Sequence, residues 1–288
     1  MFGSFPTQEA VKELEENGVR YFINLTHDYE KKITPYNTQY EYITFPITDR
    51  QIPQDLRAFA CFIIRVSDII KSLKTGELVY IHCKGGHGRS GIVVSCLLCY
   101  IFGMSAKKSL EHTTKSHNKR SVMRDKWRKI GSPQTHIQKN FVYKFFYPLN
   151  FYQDYMSGYT ELLSTSIAYN VEVDNNYPST KTEIQASKNS NDVNKKWHTP
   201  TPVIFQNIGK NVCVDQEWLN ICDKTLFKIL KVKFDQNPYI KEILMNTALR
   251  PLVKHTHIFG EDGVYRTVQN RIGKALNKLR EKYYRESI

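Results

Sequence analysis

The chain has 288 residues, 41% of them hydrophobic and 12% aromatic, a globular composition with room for two domains that each bury a core. No run approaches the about 18 consecutive apolar residues of a membrane helix, and the opening Met1-Phe2-Gly3-Ser4-Phe5-Pro6 lacks the basic-then-apolar order of a secretory signal, so a soluble cytoplasmic protein is expected. The net charge of +13 is uneven: 22 Lys and Arg face 13 Asp and Glu up to residue 150, and the stretch 107–144 holds 11 basic residues against Glu111 and Asp125. Such a stretch is either a solvated helical face or a surface for phosphorylated, acidic or nucleic-acid partners. The six cysteines, at 61, 83, 96, 99, 213 and 222, are too sparse for a disulfide framework and suit a reducing compartment.

In chain order, residues 7–17 read as a short helix with Ala10, Val11 and Leu14 on one face, ended by Gly18, and 19–25 as a strand. A second strand covers 41–47. The loop Phe45-Pro46-Ile47-Thr48-Asp49-Arg50-Gln51-Ile52-Pro53 then sets Asp49 just past that strand, between two prolines. Asp49 is either a carboxylic acid presented to a site or a cap for the helix that follows; Asp55 is a second carboxylate, expected in that helix's first turn. Residues 54–73 form a long amphipathic helix closed by Gly76, with Leu56, Phe59, Ile63, Val66 and Ile70 on its apolar face. Leu78-Val79-Tyr80-Ile81 is a buried strand, and 92–102 a buried helix stopped by Gly103. Residues 106–114 and 135–146 are helical with basic, polar sequence between them. The whole describes an α/β domain of about 145 residues, a central sheet flanked by helices.

The most chemistry lies between that buried strand and helix, in His82-Cys83-Lys84-Gly85-Gly86-His87-Gly88-Arg89-Ser90-Gly91. Glycines in a strand-to-helix turn let successive backbone N–H groups point inward, and the helix adds the positive end of its dipole, which makes an anion nest. A cysteine at its mouth has its thiolate stabilised by the same field, and Arg89 can grip two phosphate oxygens with its planar fork. Gly86-His87-Gly88-Arg89-Ser90-Gly91 also fits the dinucleotide fingerprint, but no strand ending in an acidic residue follows at the required distance. The nucleotide P-loop needs Lys-Ser/Thr after its last glycine, where this chain has Ile92-Val93. A purely structural glycine turn leaves His82, Arg89 and Ser90 unexplained together.

The pattern His-Cys, five residues, Arg-Ser-Gly resembles the active-site loop of the cysteine-dependent protein tyrosine phosphatase superfamily, and the short domain resembles its dual-specificity type. The resemblance implies Cys83 as nucleophile, Arg89 as phosphate binder, Ser90 as the hydroxyl that stabilises the leaving thiolate, and His82 as support behind the loop. Lys84, Gly85, Gly86, His87, Gly88 and Gly91 then line the phosphate site. The family's Pro-x-x-Asp segment falls on Asp49 as general acid, and Ser132-Pro133-Gln134-Thr135-His136-Ile137-Gln138 resembles its glutamine loop, with Gln134 fitting better than Gln138. No cofactor or metal is implied. Lys84 and His87 stand where lipid and polyphosphate phosphatases of the superfamily tend to carry lysines. Phosphoinositides and RNA 5′-triphosphate ends therefore stand beside phosphorylated proteins as substrates. Cys96 and Cys99 lie one helical turn apart inside an apolar helix and read as core, as does Cys61.

From residue 148 the sequence turns rich in Asn, Ser, Thr and Tyr, which puts a domain boundary near 147. Helices are expected over 218–233, 238–247 and 268–283. Lys233-Phe234-Asp235-Gln236-Asn237-Pro238 and Asn270-Arg271-Ile272-Gly273-Lys274-Ala275-Leu276 resemble the NADAR family, as does Tyr177-Pro178-Ser179-Thr180-Lys181-Thr182-Glu183 with Gln185-Ala186-Ser187-Lys188. That family acts on N-glycosidic bonds of ADP-ribose-related compounds, which implies a nucleotide-derived ligand for a mostly helical domain 148–288. The family's glutamate falls on Lys181, and its Leu-Val-Glu becomes Leu252-Val253-Lys254 before Phe259-Gly260, so glycosidase activity is expected to be lost unless Glu183 or Asp262 substitutes. The alternatives to a phosphatase are therefore an adaptor that binds phosphorylated or nucleotide-derived ligands, and a second activity in this half.

Overall fold

The structure, a computed structural model, describes residues 1–152, 171–172, 176–177, 216–255, 257–259, 265–267 and 270–287. Met1–Tyr147 and Pro148–Glu286 fall into separate compact units.

In the first unit four strands, β1 (Phe2–Gly3), β2 (Val19–Asn24), β3 (Glu41–Thr44) and β4 (Leu78–His82), form a sheet of order β1-β4-β2-β3. Every pairing is parallel. Parallel strands need crossover connections, and α1 (Gln8–Glu16), between β1 and β2, and α2 (Leu56–Ser72), between β3 and β4, supply two of them. Asn24 is in register with both Thr44 and His82, so β2, β3 and β4 end together and the loops that follow them open on one edge. In parallel sheets that edge is where ligand crevices form.

Side chains at the helix ends explain most boundaries. Thr7 caps α1 through the Ala10 amide at 3.3 Å. Asp55 lies one residue ahead of α2 and accepts the Arg57 and Ala58 amides at 2.9 Å each, so it is a helix cap and not an acid held in reserve. β3 stops at Thr44, short of the expected 47, but the Phe45 and Ile47 amides still bond to Asn24 O (2.9 Å) and Leu25 O (3.1 Å). The Asp49 loop therefore leaves the sheet while tied to the chain that follows β2. α3 (Arg89–Phe102) begins at Arg89, three residues before the apolar run, and ends at Gly103 with φ +62°. α4 (Ala106–Asn118) and α6 (His136–Phe145) start at the caps Ser105 and Thr135, the latter in a capping box with Gln138. In this unit two elements went unforeseen, β1 and the six-residue α5 (Asp125–Ile130), both too short to display a period.

The core has two faces. Phe59, Ile63, Ile64, Ile92 and Val93 are fully buried between α2 and α3, with Phe141 and Phe145 of α6 packed on Phe59 at 5.4 and 5.2 Å between ring centroids. Across the sheet, Val11, Val19, Phe22 and Tyr80 form a smaller cluster under α1. Cys96 and Cys99 are buried, and burial pushes both thiols up, as core positions do; Cys61 is half-buried.

The second unit holds α7 (Gln216–Gln236), α8 (Pro238–Asn246) and α9 (Arg271–Glu286), the last burying Leu276, Leu279, Tyr283 and Tyr284. β5 (Leu149–Tyr152) pairs in parallel with β8 (Leu252–His255). Two antiparallel pairs join β6 (Val171–Glu172) to β7 (Asn176–Tyr177) and β9 (His257–Phe259) to β10 (Tyr265–Thr267). The Asn270 carboxamide accepts the Lys254 amide at 2.8 Å and donates to Leu252 O at 2.9 Å, and a Cβ on Gly273 would stand 2.2 Å from Leu252 O. That lock of α9 onto β8 accounts for Asn270 and Gly273 in the expected motif. Lys254 and Lys233 are both buried, and Lys233 is pushed down to about 8, by burial first and by the Lys254 charge second. The segment 178–188 with Lys181 and Glu183, and also Cys213, Gly260 and Asp262, lie outside the described residues.

Candidate active site

The loop 83–88 joins the end of β4 to the start of α3, and close packing dictates its glycines. Gly86 has φ +69°, and a Cβ there would lie 2.4 Å from the Gly3 carbonyl carbon. A Cβ on Gly91 would lie 2.2 Å from Ser132 Oγ. Cys83 is buried at the first position of the loop, with its Sγ 3.6 Å from Ser90 Oγ.

Arg89 joins the three loops that leave the sheet edge. Its Nη1 donates to Ile47 O at 2.9 Å, to Leu25 O at 3.4 Å and to Glu30 Oε1, while Nη2 donates to Glu30 Oε2 at 3.0 Å and lies 3.2 Å from Asp49 Oδ1. The side chain is 1% exposed. Burial alone would disfavour its charge, but the Glu30 hydrogen bonds and the Cys83, Glu30 and Asp49 charges outweigh that and raise its pKa. Glu30 mirrors it: burial pushes the carboxyl up, whereas the Arg89 bonds, the His27 amide and the Arg89 and Lys84 charges bring it below the usual carboxylate range. Arg89 Nε is buried with no partner among the described residues. With Nη1 and Nη2 turned to the carboxylates, Nε is the donor left for an incoming oxyanion.

The other expected residues are brought to the same loop in differing states. The Asp49 side chain is 60% exposed while in contact with Arg89, so a leaving group can reach it. Gln138 is fully buried and spent on structure: its carboxamide accepts the Thr135 amide at 3.3 Å and donates to Gln51 O at 3.2 Å, fastening the Asp49 loop. Gln134 is half-buried, and its Cγ is 3.3 Å from where a Gly88 Cβ would stand. His82 is fully buried, with Nε2 2.7 Å from the Tyr36 hydroxyl, and burial pushes it down to about 3, so the ring is neutral. Lys84 Nζ donates to Lys31 O at 2.7 Å, so it bridges to the loop that carries Glu30.

His87 departs from its expected part as a basic wall. Its Nδ1 is 2.8 Å from His117 Nε2, and its ring stacks on Trp127 at 4.6 Å. Burial, with smaller contributions from His117 and Arg120, pushes it down to about 4. His87 is thus a neutral packed ring, since protonation would bury a cation close to His117 and Arg120. Sequence reasoning missed Glu30, Tyr36, His117 and Trp127. Glu30 lies in Asp28-Tyr29-Glu30-Lys31-Lys32, where nothing local marks one carboxylate over another. Among the described residues no three or more His, Cys, Asp and Glu side chains converge as a metal-ligand set.

Comparison with known proteins places the chain in a family. The family model "Swiss Army Knife protein, DSP-PTPase phosphatase domain" matches residues 1–142. The "Putative tyrosine phosphatase 197R" of Invertebrate iridescent virus 6 is 35% identical over 286 residues, covering 99% of this chain and 88% of that protein. N-glycosidase YbiA of Shigella flexneri serotype 5b is 25% identical over 153 residues, 51% of this chain and 91% of that one. Among solved structures, Tk-PTP in its active form is 26% identical with a TM-score of 0.37, covering 48% of this chain and 85% of that one. The chain belongs to the family of the iridescent-virus protein, with a DSP-PTPase phosphatase domain of the cysteine-dependent superfamily in its first half and NADAR-related sequence in its second.

Proposed function

We propose that residues 1–147 hydrolyse phosphomonoesters through a cysteinyl-phosphate intermediate, as a phosphatase of dual-specificity type. The observation that carries this reading is the meeting at 3.2 Å of Asp49 with Arg89, the first helical residue after the loop that begins with Cys83. The Cys83 thiolate attacks phosphorus in line and the P–O bond to the leaving group breaks. Arg89 Nε and the loop amides hold the equatorial oxygens, and the departing oxygen takes its proton from Asp49. Asp49, now a base, takes a proton from a water that Gln134 orients. That water then attacks phosphorus, and the S–P bond breaks with Ser90 Oγ stabilising the thiolate. His82 and Tyr36 hold the loop from behind.

Phosphotyrosine, phosphoserine and phosphothreonine of proteins are the first substrate class, in keeping with the name of the iridescent-virus relative. Phosphoinositides and RNA 5′ ends are the runners-up. Residues 148–288 are read as a NADAR-like domain that binds a nucleotide-derived ligand without cleaving it, because Lys181 and Lys254 stand where carboxylates are needed. The test is phosphate release from phosphotyrosine and phosphoserine peptides. Cys83→Ser is expected to lower turnover by on the order of 10³ or more, and labelled substrate should leave phosphate on Cys83 of the parent protein. Full turnover by Cys83→Ser would refute the mechanism.

A further inference from the structure

Beside the loop, on the flank of β1, lies an open groove of about 850 Å³ walled by Gly85, His87, Tyr80, Trp127, Arg120 and Arg124. That volume is within the range of small-molecule sites, about 300–1,000 Å³. Its charge is one-sided. No acidic side chain lines it, and among the described residues neither Arg120 nor Arg124 forms an ion pair. Arg120 is half-buried over the Phe2 ring at 4.8 Å, with Nη2 donating to Phe2 O at 3.1 Å. Its backbone is held in turn: Arg128 donates to Arg120 O at 2.6 Å and to Ser121 O at 3.3 Å. Burial disfavours the Arg120 charge, and the influences that favour it are Tyr80 and Cys83, so the guanidinium lies within electrostatic reach of the nucleophile. His87, neutral and stacked on Trp127, forms a wall between loop and groove without adding charge.

A desolvated guanidinium on a pinned loop, next to a second exposed one and opposed by no carboxylate, is arranged to receive an anion. We propose that the groove is a subsite for a second phosphate group of the substrate, held by Arg120 and Arg124 while the scissile phosphate occupies the loop. The proposal rests on the phosphatase reading and, within it, favours the runner-up substrate class over phosphorylated proteins. Gly85 lines the groove two residues from Cys83, at most about 7 Å along the chain, so the groove adjoins the loop and one small substrate can reach both. The Ser4 and Ser121 side chains at the groove suit hydroxyls, so the fitting carrier is a phosphorylated polyol, free or as a lipid headgroup.

The test is titration calorimetry on the full chain carrying Cys83→Ser, which keeps the groove. Fructose 1,6-bisphosphate should bind at least about tenfold tighter than fructose 6-phosphate, and Arg124→Glu, an exposed change, should erase that preference. Arg120→Gln should weaken it as well, with a thermal melt to verify folding. Equal binding of the two sugars, or a preference that survives Arg124→Glu, overturns the subsite. So does tighter binding of tripolyphosphate or of a doubly phosphorylated peptide. Vesicles containing phosphatidylinositol 4,5-bisphosphate, set against free inositol 1,4,5-trisphosphate, separate the lipid source from the soluble one. Turnover of 4-nitrophenyl phosphate by the parent protein is measured in parallel. No turnover with the preference intact refutes the catalytic reading alone, and turnover with no preference refutes the subsite alone.

Discussion

Two sides of one loop treat arginine in opposite ways. On the side facing the ends of β2 and β3, Arg89 is fully buried, chelated by Glu30 and touched by Asp49, so its charge is balanced before any ligand arrives. On the β1 side, Arg120 and Arg124 face a groove with no carboxylate in it. The catalytic part proposed for Arg89 needs a cation held in one geometry, which a buried bidentate partner achieves. A cation that selects among ligands has to be left unbalanced, because a resident carboxylate would compete with the ligand's own charge.

The sharpest way to break this contrast is Asp49→Asn, which keeps the shape of the Arg89 side and removes its proton. Turnover of a poor leaving group should fall by about 10²–10⁴-fold, and an activated aryl ester should lose much less. Equal losses on both would remove Asp49 from the acid role. Glu30→Gln comes next. It leaves a buried guanidinium with only the exposed Asp49 as counter-charge, and about 2–4 kcal/mol of stability should go in a denaturant melt at neutral pH. Because the Glu30 carboxyl titrates lower in the fold than in the unfolded chain, its contribution is present above the ordinary carboxylate pKa and is lost as pH falls through the depressed value. The variant's deficit should therefore shrink in acid, and a constant deficit would argue against the ion pair. A rise in KM for phosphoester would mark Glu30 as a positioning residue for Arg89.

The smallest effect concerns the support behind the loop. Tyr36→Phe removes the 2.7 Å partner of His82 Nε2 and should cost about 1 kcal/mol. His82 is held neutral with its pKa near 3, below its unfolded value, so the unfolded chain binds the extra proton. Stability should then fall as pH drops from about 6.5 towards 3, by on the order of 1 kcal/mol per pH unit from this group. A flat profile across that window would mean that His82 charges freely inside the fold.

Much of the site was legible because its information is local. The glycines, Cys83, Arg89 and Ser90 lie within one turn and its helix, and the turn's backbone demands are met by residues adjacent in sequence. Asp49 was legible for a similar reason, as a carboxylate bracketed by prolines at a strand end. Glu30 and Tyr36 were not, because each acts at long range: Glu30 meets Arg89 from 59 residues away and Tyr36 meets His82 from 46 away. The packing of His87 against His117 and Trp127 was equally hidden, and it turned an apparent cation into a neutral ring.

The sequence by itself determined the alternation of strands and helices and the glycine-rich turn at residues 83–91 between a buried strand and a buried helix, since periodicity and turn geometry depend on neighbours along the chain. Only the tertiary structure decided which charges are balanced. Whether a buried arginine finds a carboxylate depends on which strand ends share an edge, and the parallel register that brings Asn24, Thr44 and His82 level is a property of the assembled sheet.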